Sequence, residues 1–223
     1  MSNLPKIKYP LFDETIPSTK EAIKFRPFLV KEEKILLIAQ SGGSRKDLVN
    51  GLKQVVNNCV VQTQKYKFDI NALTTFDLEY LFLKIRAKSV DNVVKLKYID
   101  HEDEKEYAFE INLDEIIMHT NPDHTNKIKI NDELGIIMCY PNAELVAKFD
   151  EGLSDIEISN LMIANCIEKI YDAEDVYLVK EYSKEELDEF IDSMPSEAYR
   201  NIQTFFETMP KLYHKISPTE ENV

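Results

Sequence analysis

Between residues 93 and 140 the sequence reads as strands, with apolar side chains at every second position from Tyr107 to Leu113, and on both sides of that stretch apolar residues recur at helical spacing. This change of period constrains the fold more than any other feature, because side chains alternate across a strand but repeat every three to four residues along a helix. Tyr107, Phe109, Ile111 and Leu113 share one side of an extended chain. Val93–Ile99 reads as the strand before them, turned by an acidic tip from Asp100 to Glu106. Lys127–Ile130 and Leu134–Tyr140 read as a further strand pair around Asn131 and Asp132. An earlier hairpin is expected over residues 7–30, with Ile7, Tyr9 and Leu11 alternating in its first arm. Pro27 confines the second arm to an edge or breaks it.

The flanking segments read as helices. Lys31–Gln40 is one, ended by Ser41-Gly42-Gly43-Ser44. Leu48, Leu52, Val55 and Val56 give a second its apolar face. Thr74 and Asp77 form a capping box for a third, which carries Phe76, Tyr80 and Leu83 and ends near Ser89. From about residue 142 the chain is expected to be helical. One helix runs from Asp155 to Tyr171, placing Ile156, Ile163, Ile167 and Ile170 at helical spacing. Ser183 and Glu186 cap the next, which runs to about Ser193, and a last helix starts near Pro195 and ends at Met209-Pro210. The expected class is α+β: N-terminal and central β-hairpins mixed with helices, then a helical C-terminal region. The expected divisions are a mixed region over 1–141, an acidic helical region over 142–217 and a loose tail over 218–223.

Charge separates along this order. Residues 1–100 carry 17 basic and 11 acidic side chains, whereas residues 101–223 carry 10 and 29, within a net charge of −13. Two surfaces with contrasting partners follow from that asymmetry, as does the simpler reading that the acidic half keeps the chain in solution. The basic half is too mild to predict nucleic-acid binding. No apolar run approaches the roughly 18–20 residues of a membrane helix, so no membrane insertion is expected. Three widely spaced cysteines, Cys59, Cys139 and Cys166, suit a reducing compartment and buried, unreactive thiols.

Candidate chemistry is sparse. His119-Thr-Asn-Pro-Asp-His124 offers two imidazoles and Asp123, without the recurrent ligand pairs of a zinc site; a solvated turn is the competing reading. Ser41-Gly-Gly-Ser-Arg-Lys46 lacks the Gly-Lys-Ser/Thr ending of a phosphate loop. No Gly-x-Ser-x-Gly elbow is present. No catalytic, cofactor or metal residues are therefore assigned, and binding is favoured over catalysis. A cytoplasmic enzyme with an unrecognised acid/base site is the rival from another class. The segment from Ser183 to Leu212 sets aromatic residues among acids. Phe190, Tyr199, Phe205 and Phe206, with Glu186 and Glu189, are the expected partner-binding residues, although aromatics so spaced also close a protein's own core.

Three sets of residues carry a family resemblance. The opening Leu4-Pro5-Lys6-Ile7-Lys8-Tyr9-Pro10, then Ile16–Lys20, then Phe25-Arg26-Pro27-Phe28-Leu29-Val30 resembles the baseplate proteins of T4-like bacteriophages. Asp188–Pro195 and Phe205–Leu212 look like the closing helices of the same family. The resemblance implies a part in building the hub of a contractile-tail baseplate in the host cytoplasm. That part is an assembly factor or chaperone, or else a permanent hub subunit, and the partners are other baseplate or tail proteins. Some apparent relatives continue into a Cys-x-x-Cys metal ribbon, but here no cysteine follows Cys166.

Overall fold

The structure is a computed structural model that describes residues 7–62, 67–99, 105–149 and 152–216. The chain forms two compact units. One comprises residues 1–118 with 212–223, and the other residues 119–211.

In the first unit, β1 (Phe12–Thr15) pairs antiparallel with β2 (Ala22–Phe25), Phe12 opposite Phe25. The first arm is shorter than expected. Pro10 has no N–H to give a ladder, and Ile7 and Leu11 stand 76% and 52% exposed ahead of the strand. The second arm stops at Phe25, two residues before Pro27. Helix α1 (Val30–Gly42) ends at Gly43, whose φ of 73° is the left-handed cap conformation that glycine adopts without a steric penalty. Ser44 caps α2 (Arg45–Cys59) by accepting the Asp47 N–H at 3.0 Å, so the Gly-Gly segment is a helix–helix turn.

The expected capping box of α3 (Thr75–Ser89) is present, and it does more than start the helix. The fully buried Asp77 carboxylate accepts the Ser18 N–H at 2.9 Å and the Ser18 hydroxyl at 2.5 Å, together with the Thr74 N–H and hydroxyl. It thereby ties the β1–β2 turn to the start of α3. Strands β3 (Val93–Ile99) and β4 (Glu106–Asn112) form the expected hairpin, Leu96 opposite Phe109. Residues 100–104 of its acidic tip lie outside the described residues. Leu113 begins a single 3-10 turn rather than ending the strand, and its side chain is buried. Strand β5 (Ile117–His119) pairs with a late strand, Lys211–Tyr213, and the unit boundaries fall within these two segments.

The second unit is built on an antiparallel meander. Its strands are β6 (Lys127–Lys129), β7 (Gly135–Met138), β8 (Ile167–Tyr171) and β9 (Val176–Leu178), adjacent in that order. Between β7 and β8 come α4 (Ala143–Ala147), capped by Asn142, and α5 (Asp155–Cys166), capped by a Ser154/Glu157 box. After β9 come α6 (Lys184–Asp192), α7 (Ser196–Thr208) and β10, the Lys211–Tyr213 strand. Ile128, Ile136, Met138 and Ile167 of the sheet join Ile163, Leu187, Ile202 and Phe205 of the helices in one core.

One expectation is corrected here. The region after residue 142 is not wholly helical, because the helix begun at Asp155 stops at Cys166 and Ile167–Tyr171 is a strand. Ile163, Ile167 and Ile170 fit helical spacing, but β7 has a second edge to satisfy. Its main-chain groups pair with β8, Ile136 opposite Ile170. The same pairing joins strands on either side of residue 141. Residues 218–223 lie outside the described residues.

Candidate partner-binding surface

Helix α6 reads Lys-Glu-Glu-Leu-Asp-Glu-Phe-Ile-Asp and buries only Leu187 fully. Ser183 starts it. Glu186 accepts the Ser183 N–H at 2.8 Å, and the Ser183 oxygen accepts the Glu186 N–H at 3.3 Å. The Ser183 N–H and hydroxyl hold the Glu186 carboxyl below its ordinary pKa, so it stays charged. Glu185, Glu186, Asp188, Glu189 and Asp192 are all exposed.

Two open depressions flank this helix. The larger, about 800 Å³, lies between α5 and α6, with Leu161, Ala164, Leu187 and Ile191 in its floor and Glu157, Asp188 and Asp192 on its rim. The smaller, about 420 Å³, is lined by Tyr177, Val179, Glu186, Leu187 and Phe190. Tyr182 and Leu187 belong to both, so apolar surface runs along both sides of α6.

The six residues expected to bind partners divide accordingly. Phe190 and Glu186 line the smaller depression, and Glu189 is exposed outside both. Tyr199 and Phe206 are half-buried against the unit's core. Phe205 is 2% exposed and lies inside that core. Tyr182, 45% exposed beside the Ser183 cap, went unnoticed in the sequence; an aromatic residue immediately before a helix cap is the signal that marks it.

Phe205 belongs to an aromatic stack that also fixes His124. The His124 ring lies 5.1 Å from Phe205 and 5.6 Å from Tyr140, centroid to centroid. Its Nδ1 is 2.8 Å from the Thr208 hydroxyl, and its Nε2 is 2.9 Å from the Tyr140 hydroxyl. Thr208 gives its own proton to the Thr204 carbonyl at 2.7 Å. His124 therefore donates from Nδ1 to Thr208 and accepts the Tyr140 proton at Nε2, the neutral tautomer. Both ring nitrogens are engaged, and among the described residues no group of three or more His, Cys, Asp or Glu gathers to hold a metal.

Burial lowers the His124 pKa below its ordinary 6.5. A depressed folded value means that the unfolded chain takes up the proton first. Stability contributed by neutral His124 is present above pH 6.5 and is lost as pH falls through the lower, folded value. The unfolding temperature of the wild type is expected to fall between pH 7 and pH 5 more steeply than that of His124→Gln. Parallel profiles from thermal melts would refute this.

A cleft of about 170 Å³ contains Cys139, Tyr140, Glu144 and Lys148. Cys139 is only half-buried, whereas Cys59 and Cys166 are buried. The neighbouring Cys166 thiol lowers the Cys139 pKa, against the opposing effect of burial. Cys166 is pushed up by Cys139 in turn and by burial, and burial pushes Cys59 up to about 11. Iodoacetamide is expected to modify Cys139 at least about tenfold faster than the other two. Peptide mapping after timed quenching checks the order.

Among the described residues no helix is long and apolar enough to cross a membrane. No curated protein and no solved structure gives a match to the chain. The model of one family, described as T4 bacteriophage base plate protein, matches residues 9–222. That match spans both units, and the chain belongs to this family of phage baseplate proteins.

Proposed function

We propose that this protein acts in building the hub of a contractile-tail baseplate, by binding other tail proteins rather than by catalysis. Family membership supports the setting, a phage tail baseplate. The observation that carries the binding role is the exposed acidic row of α6 with open apolar surface on both sides of it. Helix faces of this kind take part in recognition through apolar anchors, with charge setting register and association rate. In the larger groove the charged side chains are exposed acids and one lysine, Lys184, an arrangement suited to docking. The reading extends to an assembly factor that works in the host cytoplasm, contacts hub or tail proteins directly, and inserts into no membrane and binds no nucleic acid.

The test is affinity purification of the tagged chain from infected cells, with mass spectrometry of both the complexes and the mature virions. An assembly factor is recovered with hub proteins and is missing from virions. Recovery in virions at a fixed stoichiometry identifies a permanent subunit instead. Absence from every tail complex overturns the binding role.

A further inference from the structure

Only the first-turn acids of α6 serve the helix that carries them. Glu185 and Glu186 sit in the first turn, where negative charge complements the helix dipole, but Glu189 and Asp192 sit near its C-terminal end, where the dipole opposes them. Asp188 and Asp192 are also like charges one turn apart, which is unfavourable in an isolated helix. Across the groove Glu157 adds another negative charge, held ionised by the Ser154 N–H and hydroxyl. Lys184 is the single base among the lining residues.

The shape specifies the occupant further. Glu157, Asn160, Leu161 and Ala164 line one wall, and Lys184, Leu187, Asp188 and Ile191 the other. Both sets follow the i, i+3, i+4, i+7 spacing of one helix face. Two such faces separated by an open volume of about 800 Å³ leave room for the side chains of a third helix. The polar groups present are poor orienters of a small molecule; the Asn165 amide, for one, is already given to the Leu161 carbonyl at 2.8 Å.

We propose that the groove between α5 and α6 receives the apolar face of a basic amphipathic helix from another protein, with Lys or Arg of that helix against Glu157, Asp188 and Asp192. This rests on the binding role above and supplies its partner chemistry.

The probe is a synthetic helical peptide with Leu at i, i+3, i+4 and i+7 and Lys on its flanks. It is compared with a scrambled peptide of the same composition and with a Glu-for-Lys version. Fluorescence anisotropy with the full chain is expected to give a Kd at least tenfold lower for the amphipathic basic peptide than for either comparator. Asp188→Lys with Asp192→Lys, and separately Ala164→Phe to fill the groove, are each expected to raise that Kd at least tenfold. Should the lysine pair fail to fold, Asp188→Asn with Asp192→Asn takes its place, with a Kd rise of at least threefold and an unfolding temperature no lower than wild type. Equal binding of the scrambled peptide overturns the proposal, as does a Kd unchanged within twofold in the folded variants. A dimer in sedimentation that these substitutions dissociate assigns the groove to a second copy and also overturns it. Failure of the peptide arms while the chain still co-purifies with tail proteins rejects the groove alone; loss of co-purification rejects the wider role.

Discussion

Arg26→Ala is expected to destabilise the first unit by about 3–5 kcal/mol, because it takes from a buried carboxylate its hydrogen-bonded counter-charge and leaves it only the exposed Lys31 ammonium at 3.4 Å. Glu32 is 0% exposed and accepts from both terminal nitrogens of Arg26, at 3.0 and 3.3 Å, and from the Leu29 N–H at 2.9 Å. The same guanidinium donates to the Asn58 and Pro27 carbonyls, both at 2.9 Å, so one side chain joins the end of β2, the start of α1 and the end of α2. Burial alone pushes the Glu32 carboxyl up. The Arg26 hydrogen bond, the Leu29 N–H and the charges of Arg26 and Lys31 outweigh it and bring the value below the ordinary 4.5. A depressed value contributes stability above pH 4.5 that is lost as pH falls through the folded value. Without Arg26 the largest downward pull is gone and burial dominates, so in the variant protonation favours the folded state. The gap between wild type and Arg26→Ala is therefore largest at pH 7 and narrows toward pH 4. Urea unfolding at the two pH values measures it. A gap under 1 kcal/mol, or one independent of pH, would show that the pair is not what holds these elements together.

The Arg26–Glu32 pair was invisible in the sequence, whereas the capping boxes were not, and the difference is one of range. Thr74 with Asp77, and Ser183 with Glu186, act across three residues, so the pair specifies the helix start before anything packs on it. The second use of Asp77, holding Ser18 from 59 residues away, leaves no local trace. The β3–β4 hairpin was legible because alternation and an acidic tip lie next to one another in the chain. Ile167–Tyr171 was misread because its isoleucines satisfy helical spacing, and only the free edge of β7 decides the matter. The groove has the same character. Its walls come from α5 and α6, and the gap between them depends on the β8–β9 ribbon that intervenes in the chain. What the sequence did show was the row of acids on α6, since composition within a single helix needs no tertiary information.

Phe205→Ala is the companion experiment in the second unit, and it separates two aromatic residues that the sequence treats alike. Phe205 is 2% exposed, packs in a T-shape on Phe206 at 5.3 Å and stacks on Tyr140 at 5.6 Å. Removing such a ring costs the transfer energy of its surface and leaves a cavity, about 3–5 kcal/mol in all. Phe190 is half-buried at the edge of an open depression. There, Phe190→Ala is expected to cost less than half as much stability, because solvent already reaches one side of the ring and the site can relax. The two substitutions also differ in their effect on His124. Phe205 covers the imidazole at 5.1 Å. Its loss hydrates the ring, relieves the burial that depresses the pKa, and returns the value toward 6.5. Phe205→Ala thus loses the pH dependence of stability attributed to His124, and Phe190→Ala keeps it. Histidine C–H shifts followed by NMR titration, beside urea unfolding, read both effects. If Phe205→Ala costs less than 1 kcal/mol and leaves the His124 titration where it was, the ring does not serve the core, and its place is among the partner-facing aromatics of α6 and α7.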